Sequence, residues 1–409
     1  MRRRQLQLLF TITLSSLVTA LPLRAQTDQP ASTSQLDELF DELPGPDSPS
    51  ELDRTILAKM KSAQVPGLAA AIVKDGKVHW SGSYGWANIE QEQPVTQQTY
   101  FQVASISKTI TACVVMQLVE QGKFSLDTDL DTILPFSVRN PQHADTPITM
   151  RQLLTHTAGI KDNWSVLEGF WVKNGDFPQP LGQSLGDYFQ PTGKYYDQKK
   201  NYYNWAAGSR QKYSNVGVAL AAYVAEVVAK VPFGKLCQDN LFQPLGIEGS
   251  SFRLAGMDRS KIAMPYGLKK KSGQLKPLGH HGYLDYPAGT LKITAAQLAR
   301  FLACFINDGQ LDDTRVLRGE TVQEMRKIAF PDVAPKQGLA WYFSKTAGQQ
   351  VLGHDGGDPG VLTFMGYRPE DGVGVILLMN TEPKSGRFES SLIRLLFQHA
   401  DQPSLPDVE

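Results

Sequence analysis

Ser105-Ile106-Ser107-Lys108 opens an apolar run that continues to Val119 and stops at Gly122. Ile110, Cys113, Val114, Val115, Met116 and Leu118 leave hardly any polar face, which is the pattern of a helix buried on all sides. Gly122 supplies the stop, because glycine enters the left-handed conformation after a helix without a Cβ clash. Ser105 falls at the N-terminus of that helix. Unpaired N–H groups and the positive end of the helix dipole there favour negative charge on a serine oxygen or a bound oxyanion. Lys108, three residues on, shares the same face and can reach the Ser105 hydroxyl. A serine with an amine in proton-transfer range is one arrangement for nucleophilic catalysis. The spacing S-x-x-K alone arises by chance about once in a chain of this length. Ser209-Arg210-Gln211-Lys212 also fits it, with Gly208 before it and no buried helix behind. Motif and helix alone therefore leave two readings of Ser105: a nucleophile, or the cap of a core helix.

Two further constellations could serve the same chemistry. Tyr213-Ser214-Asn215 opens a second apolar helix, with Ser214 as its cap and Lys230 near its end. A tyrosine there can exchange protons with the Ser105 hydroxyl, and the Asn215 amide can fix Lys108 and a substrate carbonyl. His354-Asp355-Gly356-Gly357 stands at the end of a strand expected over 349–354. Its glycines let a substrate backbone come close, and a free N–H can complete an oxyanion hole. Taken singly, Tyr213 reads equally as a core aromatic and His354 as a strand-end turn residue.

The elements that must position these residues follow from pattern. A helix over 51–63 carries Leu52, Ile56, Leu57 and Met60 on one face, and strands over 68–73 and 77–83 meet at the turn Asp75-Gly76. Leu153 to Gly159 ends a short helix at a tight turn. A helix from Phe233 to Phe242 follows the one that Ser214 caps, and Thr294-Ala295-Ala296-Gln297 is a capping box opening the helix Leu298–Ile306. Strands are expected at 338–344, 349–354, 360–367 and 373–379, and then a C-terminal helix with Phe388, Leu392, Ile393 and Leu396. Strands at both ends and helices between them fold most simply as one antiparallel sheet, built from about 66–90 and 338–380, with a helical region of about 105–330 inserted. The fold class is thus α/β of the α+β type. Residues 163–205 hold 11 aromatics in 43 positions without clear period, either a cleft lining or a satellite core, with the cleft favoured.

Composition narrows the function. The 409 residues carry 41 Lys plus Arg against 41 Asp plus Glu, so no basic field points to nucleic acid. Arg2, Arg3 and Arg4 precede a mostly apolar stretch from Leu6 to Leu21, which reads as a signal peptide over 1–25 of an exported, periplasmic or secreted bacterial protein. A membrane anchor is the alternative; with the signal removed no stable span is expected. Residues 26–50, broken by five Pro or Gly, read as a linker, 51–398 as the functional domain and 399–409 as a tail. Cys113, Cys237 and Cys304 form no disulfide framework and read as buried thiols. The pair His280-His281 lies in a Gly/Lys-rich loop and reads as solvated, so no metal or other cofactor is expected. Gly182-Gln183-Ser184-Leu185-Gly186 matches a G-x-S-x-G nucleophile elbow but follows Pro178 and Pro180 rather than a strand.

Taken in order, Ser105-x-x-Lys108, Tyr213-x-Asn215 and His354-x-Gly356 resemble the three motifs of the penicillin-recognising serine hydrolases. More narrowly they resemble the class C β-lactamase-related family, which includes D-alanyl-D-alanine carboxypeptidases, D-aminopeptidases and esterases. Leu153 to Gly159, and Pro287-Ala288-Gly289 through Phe301, are similar to that family too, so the resemblance covers about 52–398. It implies an antiparallel sheet flanked by helices beside an all-helical domain. It also implies Ser105 as the acylated nucleophile, Lys108 and Tyr213 sharing the proton transfers, and Asn215 as a positioning residue. The oxyanion hole would be the N–H groups of Ser105 and Gly357, next to Gly356. His354 stands where lactamases of this family usually carry Lys, a permanent cation suited to a β-lactam carboxylate, whereas histidine is largely neutral at pH 7. The expected substrate is therefore a small-molecule or peptide ester or amide, with a β-lactamase or penicillin-binding protein as the alternative. A non-catalytic relative that captures muropeptides or a protein is the alternative of another class.

Overall fold

The computed structural model describes residues 39–269, 274–383, 385 and 387–402. The expected signal, the first part of the expected linker and the end of the expected tail lie outside the described residues. In chain order the principal elements begin with α1 (Glu51–Ala63), β1 (Gly67–Lys74), β2 (Lys77–Asn88), β3 (Gln93–Pro94) and α2 (Ser107–Glu120). The middle of the chain adds α3 (Leu181–Phe189), α4 (Asn215–Ala229) and α5 (Ala295–Ile306). The C-terminal part supplies β4 (Tyr342–Thr346), β5 (Gln349–Asp358), β6 (Val361–Tyr367), β7 (Gly374–Met379) and α6 (Arg387–Ala400).

The strands form one antiparallel sheet in the order β4-β5-β6-β7-β1-β2-β3, so the first and last long strands lie side by side. Asp75 (φ +52°) and Gly76 (φ +69°) make the two-residue turn between β1 and β2 in the left-handed conformation that matches strand twist. Along β1 successive residues serve opposite faces. Leu68, Ala70 and Ile72 pack with Ile56 and Met60 of α1 and Leu392 and Leu396 of α6. Ala69, Ala71 and Val73 join the larger core with Leu298, Phe301 and Leu302 of α5. Both faces are covered, which explains the continuous apolar run in β1.

Within the helical region α2 is buried from Ser107 to Leu118 and packs against α4. Ser214 and Thr294 cap their helices as expected, and Ser50 caps α1 as well. Ser50, Thr294 and Ser214 accept hydrogen bonds from Asp53 N, Gln297 N and Gly217 N. Among the described residues no single helix is long and apolar enough to cross a membrane.

Several expectations need correction. The expected linker is tied to the domain at two points, while most of 41–50 is exposed: Phe40 is buried with Tyr266 and Leu275, and Gly85 N donates to Pro44 O at 2.7 Å. The strand expected from 338 begins at Tyr342, because Ala340 takes φ +59° in a turn. The strand expected to end at His354 runs on to Asp358. The helix 233–242 changes at Gln238 from α to a π turn. Of the 11 aromatics in the segment, Phe177, Tyr188, Phe189, Tyr195 and Tyr202 are buried in the core, and Phe170 and Tyr196 pack against it. His280, expected in solvent, is buried, and its pKa is pulled down to about 4 by that burial and by nearby Lys292.

Candidate active site

Ser105 sits in a single 3-10 turn, Ala104–Ile106, that leads into α2. Ala104 has φ +45°, a left-handed conformation that costs a residue with a Cβ about 1 kcal/mol or more. The turn is held from outside. Val103 N donates to Leu291 O at 2.9 Å, and Thr363 Oγ1 of β6 donates to Val103 O at 2.9 Å. β5 passes so close that a Cβ on Gly356 would lie 2.3 Å from Thr363 Oγ1 and 2.4 Å from Val103 O. That contact is the physical reason for a glycine there. β4 pairs with β5 only as far as Gly353, while β6 pairs with it through Asp358. The stretch 354–358 therefore keeps one edge clear of β4, and Gly357 on it lines the cleft beside Ser105.

Lys108 is fully buried. Its Nζ donates to Ser105 Oγ at 2.9 Å and to Ala288 O at 2.7 Å, and lies 4.9 Å from the centre of the Tyr213 ring. Burial pulls its pKa down to about 7 against the opposing charges of Asp285, Asp162, Asp358 and Asp355. About half of the amine is thus neutral at pH 7. Tyr213 offers a partly exposed ring as a wall of the cleft, while its hydroxyl end is buried against Ser105, to which it is hydrogen bonded. That burial pushes its pKa well above the usual phenol range, with Asp355, Asp162 and Asp285 adding and the Ser105 hydrogen bond opposing.

Asn215 is placed differently from the expectation. Lys108 spends its hydrogen bonds on Ser105 and Ala288, and the Asn215 amide Nδ2 donates to Asp162 Oδ2 at 2.9 Å. Asp162 also accepts from Asn215 N at 2.9 Å, Ser214 Oγ at 2.8 Å and Val216 N at 3.1 Å. A buried carboxylate thus satisfies the first turn of α4 and complements its dipole. Asn215 still lines the cleft. His156, at φ +58° after the helix Met150–Leu154, accepts from Ser214 N at 3.3 Å and lies 4.4 Å from the Tyr213 ring. Its pKa falls well below the usual value through burial and the charge of Lys108, so it stays neutral.

His354 does not line the cleft. Buried on β5, it lies 6.3 Å from the Tyr213 ring, with Nδ1 2.5 Å from Asp355 O. Burial and Lys108 pull its pKa down to about 4. Asp355 points outward, hydrogen bonded by the Tyr342 hydroxyl.

The cleft in front of Ser105 measures about 250 Å³. Trp164, Leu167, Trp171 and Tyr283 form its apolar wall, so the aromatic segment does contribute two side chains. Asp285 and Asp358 also line it. These two and Asp162 were missed in the sequence; each is a lone acid in a loop or at a strand end, with no periodicity to mark it. Ser184 lies inside α3, fully buried, with Oγ donating to Pro180 O at 3.1 Å, so it is no strand-to-helix elbow. Ser209 lies in a loop and its Oγ donates to Ala206 O. Cys113, Cys237 and Cys304 are free and buried. Among the described residues no group of three or more His, Cys, Asp or Glu is placed to hold a metal ion.

Residues 52–398 match the family model described as Beta-lactamase. Penicillin-binding protein 4 of Amycolatopsis lactamdurans is 28% identical over 84% of this chain and 88% of its own length. Protein flp of Staphylococcus aureus strain N315 is 21% identical over 82% of this chain, which spans 63% of that relative. Among solved structures, the octameric penicillin-binding protein homologue from Pyrococcus abyssi superposes with a TM-score of 0.69 at 25% identity, covering 85% of this chain and 77% of that one.

Proposed function

Because this chain belongs to the beta-lactamase family of serine hydrolases, we propose that Ser105 is its nucleophile and forms an acyl-enzyme with an ester or amide substrate. The observation that carries the reading is the 2.9 Å contact between Ser105 Oγ and the fully buried amine of Lys108. When that amine is neutral the hydrogen bond reverses and the Ser105 O–H donates. The proton then passes to Nζ as Oγ bonds the carbonyl carbon. Negative charge gathers on the carbonyl oxygen, facing the backbone N–H groups of Ser105 and Gly357, each such donor being worth about 3 kcal/mol. The leaving alcohol or amine takes the proton as its bond to the carbonyl carbon breaks. Tyr213 serves here as a relay, because it remains a phenol at neutral pH. Water then attacks the acyl carbonyl and gives a proton to the same base, which passes it to Ser105 Oγ as the acyl C–Oγ bond breaks and the acid leaves.

Asn215 and Gly356 position the two walls of the site, and His354 is a neutral neighbour of Tyr213. With a neutral histidine where a lysine would bind a β-lactam carboxylate, efficient β-lactam hydrolysis is disfavoured. A carboxylesterase or D-amino-acid peptidase activity fits better. The basic-then-apolar N-terminus supports export to the periplasm or medium.

Intact-protein mass after incubation with benzylpenicillin, with Ser105→Ala alongside, tests the nucleophile. An adduct on Ser105 in the wild type alone supports it. If no adduct forms and p-nitrophenyl acetate shows no Ser105-dependent turnover, the enzyme reading gives way to that of a binding relative.

A further inference from the structure

Among the described residues, the charged ones lining the cleft are both carboxylates, Asp285 and Asp358, with no lysine or arginine. Asp285 is only 6% exposed and, among the described residues, accepts a hydrogen bond from its own backbone N–H alone. Asp358 has Oδ2 held by Gln102 Nε2 at 2.6 Å and by the Tyr283 hydroxyl at 3.2 Å. Its Oδ1 takes no hydrogen bond from the described residues. Asp285, with one backbone donor, and Asp358, with Oδ1 unbonded by the described residues, thus border one small cavity with no cation paired to either, a costly arrangement for buried carboxylates. The cations nearby do not fill the gap. Lys108 is committed to Ser105 and Ala288, and Lys292, within electrostatic reach of Asp358, is buried outside the cleft lining, its Nζ without a hydrogen bond to the described residues. Asp162 and Asp355 add to the negative field around Lys108. In accord with this geometry, burial, with repulsion from Asp162 and Asp358, pushes Asp285 up to about 7, and burial pushes Asp358 up to about 6. An ammonium set between these two acids would offset the cost of their burial. A substrate ending in a free carboxylate would meet like charge instead.

We infer that the cleft takes a substrate with a free amino group: an amino-acid ester, amide or short peptide whose ammonium lies against Asp285 and Asp358 and whose carbonyl meets Ser105. Trp164, Trp171 and Tyr283 receive its side chain. This rests on Ser105 as the nucleophile, and it makes the enzyme remove an amino-terminal residue rather than a carboxy-terminal one.

The test compares kcat/KM for phenylalanine p-nitroanilide, both enantiomers, with that for the N-acetylated forms and for release of alanine from diacetyl-lysyl-D-alanyl-D-alanine. At least one free-amine enantiomer should exceed its N-acetyl form by on the order of 10- to 100-fold, the scale of a charge-assisted hydrogen bond. Asp285→Asn should shrink that ratio, chiefly through KM, and Asp358→Asn provides a second variant should the first fail to fold. A wild-type preference for the acetylated or carboxylate-ended substrate, or a ratio untouched in both folded variants, overturns the inference. p-Nitrophenyl acetate separates the two levels. If wild type turns it over, Ser105→Ala does not, and the amine preference is missing, the inference falls and the nucleophile stands. If Ser105→Ala retains turnover, both fall.

Discussion

The pH dependence of acylation depends directly on the burial of Lys108. A lysine at its ordinary value near 10.5 would be neutral in only about one molecule in 3000 at pH 7, whereas at about 7 half the molecules hold the free base. For a neutral ester such as p-nitrophenyl acetate, kcat/KM should track that fraction. It should be roughly 1% of maximum at pH 5, 9% at pH 6, half at pH 7 and 90% at pH 8. The sign follows from the base form being the active one, so activity is lost as pH falls through about 7 and is held above it. Histidine does not mimic this limb, since His354 sits at about 4 and His156 well below its usual value. Asp285, at about 7, and Asp358, at about 6, do titrate in the same window. Asp285→Asn tells them apart. Removing the largest of the charges that hold the Lys108 proton should move the limb to lower pH, while a limb that belonged to Asp285 would vanish. The assay is steady-state hydrolysis from pH 5 to 10 at constant ionic strength. A profile that climbs tenfold per pH unit as far as pH 10 would mean an unperturbed lysine and would refute the reasoning.

Three further outcomes are expected. Asp162→Ala strips four hydrogen bonds from the start of α4 and should destabilise the fold by about 2–4 kcal/mol in chemical denaturation, with KM raised because Asn215 loses its anchor. Gly356→Ala drives a Cβ into the backbone of Val103 and should cost on the order of 100-fold in kcat, whereas Gly357→Ala meets nothing within 4 Å and should leave the melting temperature unchanged. Ser184→Ala should leave turnover at the wild-type level, since that hydroxyl serves only Pro180 O inside α3; full loss would revive the elbow.

What could be read in the sequence was local. Ser105 and Lys108 lie three residues apart, so helix geometry alone brings them together, and the caps at Ser214 and Thr294 are set within one turn. The hairpin at Asp75-Gly76 needed only its dipeptide. What escaped was long-range. Asp162 meets Asn215 only through the packing of the loop after the short helix Met150–Leu154 onto α4. Asp285 and Asp358 converge on the cleft from distant segments. Glycines 353, 356 and 357 imitate a turn, yet β5 continues because β6 supplies a ladder through Asp358. The left-handed Ala104 left no local sign either, because the strain is maintained by Leu291 and Thr363.

The sheet order also bears on synthesis. β1 finds β2 at once across its turn, but its other neighbour is β7, with Val73 against Gly374 and Leu68 against Met379. While the chain is being made, β1 carries one open edge until nearly the last residue of the domain has emerged. A nascent chain or a C-terminal truncation short of Met379 leaves both β1 and β6 as apolar templates for pairing with other chains. The β1–β7 pairing joins strands far apart in sequence, the kind of contact that forms slowly.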